Sequence, residues 1–268
     1  MWILFICIHG ILTGFFIIFR KQAVQKSNVF FVLALSSAIG FLLISYKYAE
    51  ALALSWEYVL ILLGKSIIVS TSWALELYAI RDYYLSVLQP ISAIKVVIAF
   101  LASMLIFGES ATWSQFVGVF IVGAGILLLK NEPNKNLFLQ RKNGNNSKDR
   151  RILTFFLISC VLSEASGIID KFALQTITSN QMQWWFMLFN ALIFILICFI
   201  ISIKNKKFIC TKSDWKNIYI YAVAFVLILA DQFLFTGLMS PESKASIVSI
   251  LKQLRVIVSV LIGGLIFK

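Results

Sequence analysis

Apolar residues fill this chain in long blocks, cut by short polar corners. A helix needs roughly 20 mainly apolar residues to cross hydrocarbon, where only its own carbonyls can satisfy its N–H groups. Blocks of that length predict nine spanning helices, at approximately 2–20, 27–46, 57–80, 83–107, 112–130, 152–176, 182–203, 216–240 and 244–267. Most connections are short, so successive helices are expected to pack as antiparallel neighbours. The stretch NEPNKNLFLQRKNGNNSKDRR, residues 131–151, reads instead as a basic flexible linker between a first unit, 1–130, and a second, 152–268.

The blocks from Tyr84 to Lys130 form a predicted hairpin around the corner Gly108-Glu109-Ser110-Ala111-Thr112. Its first arm holds Pro90 and, well inside, Lys95; its second is rich in small residues (Gly118, Gly123, Ala124, Gly125) that let backbones approach closely in lipid. A buried cation in such a hairpin points to a polytopic membrane protein with a polar site.

Composition supports that class. The chain has 268 residues, 60% hydrophobic and 13% charged, with mean hydropathy +0.90; a soluble domain could not bury so much apolar surface. An all-α polytopic membrane protein is expected, in the plasma or inner membrane. The net charge of +12 is not spread as a nucleic-acid groove would need: 7 of the 24 basic residues lie between Lys130 and Arg151 and 5 more between Lys204 and Lys216. Clusters flanking apolar blocks are a topology signal, and no nucleic acid is expected as a partner. Cys7, Cys160, Cys198 and Cys210 lack metal-type spacing, and His9 is the only histidine, so neither a metal site nor a cofactor is expected. The first block lacks a basic leader and a cleavage site, so it is expected to be retained.

The chain resembles itself. Shifted by 160 positions, Ala93–Phe107 (AIKVVIAFLASMLIF) falls on Gln253–Phe267 (QLRVIVSVLIGGLIF), with Lys95 on Arg255 and Arg81-Asp82 on Pro241-Glu242. With another offset, Arg20–Gln25 matches Asp170–Gln175. Five helices per repeat is an odd number, so the second copy should enter the membrane from the opposite face, placing a site near the midplane between the halves. The second copy ends at Lys268, before a counterpart of 112–130, so a tenth helix is expected to be missing.

Ser86-Val87-Leu88-Gln89-Pro90-Ile91, the run to Phe107-Gly108-Glu109, and then Gln115-Phe116-Val117-Gly118 through Gly123-Ala124-Gly125 resemble the hairpin of EamA-type transporters of the drug/metabolite transporter superfamily. The resemblance implies alternating-access transport of small solutes through a cavity between two five-helix halves. The absent tenth helix and the intramembrane basic residues depart from the family pattern. There is also a faint similarity to plant plastid phosphate translocators, which carry basic residues on the corresponding helices.

Loop charges set an expected orientation. Loops after helices 1, 3, 5 and 7, with Lys268, hold 17 of the 24 basic residues, which puts them in the cytoplasm and the N-terminus outside. The resemblance implies the opposite orientation, and the charges are followed here.

Five basic residues remain inside the blocks: Lys65, Lys95, Lys171, Lys252 and Arg255, beside Glu76, Glu164, Asp170 and Asp231. Each charge costs about 2.5–3.5 kcal/mol at a helix centre, so each needs a partner or an aqueous cavity. Lys171 and Asp170 lie near a helix end, where snorkelling or simple pairing suffices, and Glu109 and Glu242 fit caps of the helices that follow them. Lys95, Arg255 and Lys252 are candidate substrate contacts: cations sharing a cavity need an anion, and a guanidinium grips carboxylate or phosphate in a fork. The competing reading pairs them internally with Glu76, Glu164 or Asp231. Lys65 and Glu76 share a face of helix 3. Together with Glu164 and Asp231 they are candidate coupling or ion-pair residues, with Glu76 able to carry a proton or to serve as counter-ion of Lys95. Trp73 is a candidate pocket residue, although Trp73, Tyr78, Tyr83, Trp184 and Trp185 also fit an interfacial belt. Gly10 and Gly14 form a GxxxG packing face.

No catalytic constellation is present, so an enzyme is not expected. A secondary transporter of a small anionic or zwitterionic metabolite is the preferred reading. The alternatives are a proton-coupled exporter of cationic or lipophilic compounds and a non-transporting membrane subunit. A small-molecule substrate and the bilayer are the expected partners, and a homodimer is compatible with the class.

Overall fold

The computed structural model describes residues 1–109, 113, 116–121, 146–206, 208 and 210–266. Twelve helices are laid out over them: α1 Trp2–Lys26, α2 Val29–Ile44, α3 Tyr48–Leu52, α4 Trp56–Asp82, α5 Leu85–Ile91, α6 Ile94–Phe107, α7 Asn146–Ala173, α8 Ser179–Asn205, α9 Lys212–Trp215, α10 Ile218–Leu238, α11 Ala245–Lys252 and α12 Leu254–Ile266. Residues 116–121 are helical too, and no strand occurs among the described residues. Eight spans among them are long and apolar enough to cross a membrane. They correspond to eight of the nine expected segments; the remaining one, 112–130, and the linker 131–151 lie largely outside the described residues.

Polar residues begin the helices where the sequence places them. Asn28 and Asn217 accept hydrogen bonds from Phe30 N–H and Tyr219 N–H, and Thr178 with Gln181 forms a capping box on α8. Gly108 ends α6 with φ of 60°, a left-handed turn that favours glycine.

Successive helices are not the principal neighbours. α1 packs along α10 and α12, α2 along α8, and α4 along α7. The close-packing surfaces explain this, because they face across the halves. A Cβ on Gly14 would lie 2.5 Å from Val258 Cβ, and one on Gly10 would lie 3.0 Å from the Leu251 carbonyl oxygen. The GxxxG thus presses α1 onto the α11–α12 junction.

Two expected single helices are broken. The span 83–107 divides into α5 and α6 at Ser92-Ala93, and the span 244–267 divides into α11 and α12 at Gln253. Ala93 N–H bonds the Pro90 carbonyl (3.1 Å), and Gln253 N–H bonds that of Ile250 (3.0 Å), one residue short of the α-helical partner. Each carbonyl released this way takes a side-chain donor from its own segment: Ser92 Oγ to Gln89 O at 2.7 Å, and Gln253 Nε2 to Ser249 O at 3.4 Å. Under the 160-residue shift Gln89 falls on Ser249 and Ala93 on Gln253.

Candidate functional site

The site is a cavity of about 130 Å³ between α1, α4, α6, α7, α10 and the α11–α12 junction. α4 supplies one wall. Lys65, Val69, Ser72, Trp73 and Glu76 recur at helical spacing, so one stripe of a long helix faces the cavity. α1 adds His9, Phe16 and Arg20; α6 adds Lys95; α7 adds Ser163 and Asp170; α10 adds Asp231; Lys252 and Arg255 come from either side of the Gln253 break.

The charges are organised around two ion pairs. Towards one end Arg20 donates to Glu76 at 2.9 Å, and Lys95 lies 3.9 Å from the same carboxylate while donating to Ser163 Oγ at 3.1 Å. The Arg20 guanidinium also stacks over Phe16 and Trp73, at 4.9 and 5.4 Å from the ring centroids. Towards the other end Lys65 contacts Asp170 at 2.5 Å and sits over Phe186 and Phe235. Arg20, Lys65 and Lys95 are almost fully buried, whereas Lys252 and Arg255 are partly buried. Arg255 reaches the Ser92 hydroxyl at 3.4 Å, and its Nε has no hydrogen-bond acceptor among the described residues.

The structure therefore brings together Lys65, Trp73, Glu76, Lys95, Asp231, Lys252 and Arg255. Glu164 does not face this cavity. It borders a smaller one, about 30 Å³, that shares Gly167 and Lys252 with the first. Internal pairing of Lys95 with Glu76 is seen, but Arg20 is the closer partner. Lys171 pairs with Glu109, whose carboxylate also accepts from Ala245 N–H (2.8 Å) and Ser246 Oγ (3.1 Å). Glu109 thus caps α11, because the α6 corner abuts the start of α11; the beginning of the helix that follows it in sequence lies outside the described residues.

Arg20 and His9 enter the site without being singled out by hydropathy, and Asp170, expected only to pair or snorkel near a helix end, lines the cavity as well. α1 continues to Lys26, so Arg20 and Lys21 are buried in a helix and are not loop residues. Lys21 donates to the carbonyls of Ile80, Arg81 and Tyr83 and so closes the end of α4. The one hint was the alignment of Arg20 with Asp170: each proves to hold one of the two ion pairs. No cluster of metal-binding side chains occurs among the described residues.

These features define a polytopic helical membrane protein with charged groups enclosed between its helices. Residues 1–130 match the family described as the EamA-like transporter family, and over those residues the chain is an EamA-type domain of the drug/metabolite transporter superfamily. That family is one of multi-pass membrane transporters, not of enzymes. A comparison with curated proteins gives no match. A solved structure described only as "Crystal structure of protein" superposes with a TM-score of 0.55 over 97% of this chain and 99% of that one, at 13% identity. At that identity the likeness concerns the fold alone.

Proposed function

We propose that the chain is a secondary transporter in the cell membrane, moving a small anionic or zwitterionic metabolite by alternating access between two inverted repeats, 1–130 and 152–268. The observation that carries this is the charge balance of the cavity: Arg20, Lys65, Lys95, Lys252 and Arg255 face three carboxylates, Glu76, Asp170 and Asp231. Arg20 and Lys65 take up Glu76 and Asp170, with Lys95 sharing Glu76, which leaves Lys252 and Arg255 in need of an anion beside Lys95. A substrate carboxylate or phosphate supplies it, with Arg255 offering the fork geometry. The matching breaks at Ala93 and Gln253 support the repeat arrangement, since interrupted helices near the midplane line sites in transporters so built. The volume, on the order of the 150 Å³ cavity that holds benzene, fits a small solute better than a bulky drug. A cation exporter centred on Glu76 is disfavoured, because Arg20 already occupies that carboxylate.

Counterflow in proteoliposomes tests the proposal, with a panel of labelled small carboxylates, amino acids and phosphorylated metabolites. At least one substrate is expected to exchange, and Lys95→Ala and Arg255→Ala to abolish that exchange. Undiminished exchange in both variants overturns the site.

A further inference from the structure

Among the described residues, two of the three carboxylates in the cavity are held by a cation within 4 Å, and the third is not. Asp231 lies in the middle of α10, about nine-tenths buried, and its Oδ2 has no hydrogen-bond donor among the described residues. Four charged or titratable groups face it from the packed elements: His9 on α1, Lys65 on α4, Asp170 on α7 and Lys252 on α11. Each is committed elsewhere or only partly available. Lys65 contacts Asp170 at 2.5 Å and lies over two aromatic rings. His9 Nδ1 donates to the carbonyl of Ala230 at 2.9 Å, which turns its proton away from the neighbouring carboxylate. Lys252 is shared with Glu164, which lines the smaller cavity beside it. Lys47 approaches the next residue, Gln232, at 2.8 Å, not Asp231.

We infer that Asp231 is a proton-binding site of the transport cycle, the group through which a proton gradient drives the solute. This deepens the anion-transport reading and rests on it for the identity of the co-transported species. A buried carboxylate oxygen without a donor is costly when ionised, and a proton from the aqueous phase satisfies it without moving any neighbour. Once Asp231 is protonated, the cavity holds one negative charge fewer, so its cations, Lys252 and Arg255 among them, attract the carboxylate or phosphate of the substrate more strongly. Proton and anion therefore bind with positive coupling, and that coupling is reciprocal. The sign follows: anion affinity rises as pH falls through the titration of Asp231, and solute and proton travel together. Glu76 is excluded from this role by Arg20 and Lys95.

The test uses infrared difference spectroscopy of the purified protein in lipid, titrated with acid alone, so no substrate is required. Wild type is expected to develop the carbonyl-stretch band of a protonated carboxyl. Asp231→Asn is expected to lack the component of that band contributed by this buried carboxyl, and Asp231→Glu to retain it at a shifted position. Size-exclusion profiles confirm that each variant is folded, and Asp231→Glu carries the test should Asp231→Asn misfold. A wild-type spectrum without the band, or a band unaltered in both Asp231 variants, overturns the inference. Intact counterflow in Lys95→Ala and Arg255→Ala would sink the anion site while leaving the proton site standing, so the two failures are distinguishable.

Discussion

Arg255, just after the helix break in the second half of the chain, directs an N–H of its guanidinium at the hydroxyl of Ser92, which sits in the break of the first half, 3.4 Å away. The same hydroxyl donates to the Gln89 carbonyl. Ser92 thus serves the backbone of one half and the charge of the other. Ser92→Ala removes both bonds but no charge. A neutral hydrogen bond contributes about 0.5–1.5 kcal/mol, so a roughly two- to tenfold rise in KM is expected in counterflow, well short of the loss expected for Arg255→Ala.

The Arg20–Glu76 pair is a stability element as well as a wall of the cavity. Glu76→Gln strands Arg20, 1% exposed, and weakens the hold on Lys95. Removing one partner of a buried pair costs about 3–5 kcal/mol. A clearly lower unfolding temperature in detergent is expected, and the double variant Arg20→Met, Glu76→Met should recover much of it without recovering transport.

Gly14 admits α12 to the surface of α1. With Val258 Cβ 2.5 Å from where an alanine methyl would sit, and the Arg255 carbonyl oxygen 3.2 Å away, the backbones must separate. Gly14→Ala should cost about 1–3 kcal/mol as overpacking, read as a lower unfolding temperature. Gly64→Ala meets no neighbour within 4 Å among the described residues and is the control.

Glu109 sits just beyond the spanning part of α6. Burial opposes its ionisation, but the Lys171 ammonium and the N–H of Ala245, with Lys171's charge and the Ser246 hydroxyl, outweigh it and hold the carboxyl below its ordinary value of 4.5. A carboxyl depressed by folding stabilises fully above the ordinary value, and that contribution disappears as pH falls through the depressed one. Thermal unfolding followed from pH 7 downwards should therefore show an acid-labile component below about pH 4.5 that Glu109→Gln lacks.

Much of this was legible in the residues. Hydropathy finds the spans because the bilayer demands length and apolarity, and it exposes Lys65, Glu76, Lys95, Asp231, Lys252 and Arg255 because a charge inside an apolar block is conspicuous. The same logic hides Arg20. It follows the last residues of an apolar run and reads as an interfacial cation, although the helix carries on for six more residues to Lys26. Pairing between helices was hidden too, because loop length governs direction of travel whereas small residues such as Gly10 and Gly14 decide which surfaces meet. The break at Ala93 has a local cause in Pro90 and Ser92. That at Gln253 has no proline, and only a side-chain amide able to replace a backbone donor betrays it.

The two breaks bear on how such a protein could flex. An unbroken helix that bends in hydrocarbon strips a carbonyl of its donor and leaves it facing acyl chains, a severe penalty. Here the donors that cover Gln89 O and Ser249 O ride on the same few residues as the joints themselves. Each joint therefore carries its own solvent, and the half-helices on either side can pivot without ever presenting a bare peptide group to the lipid.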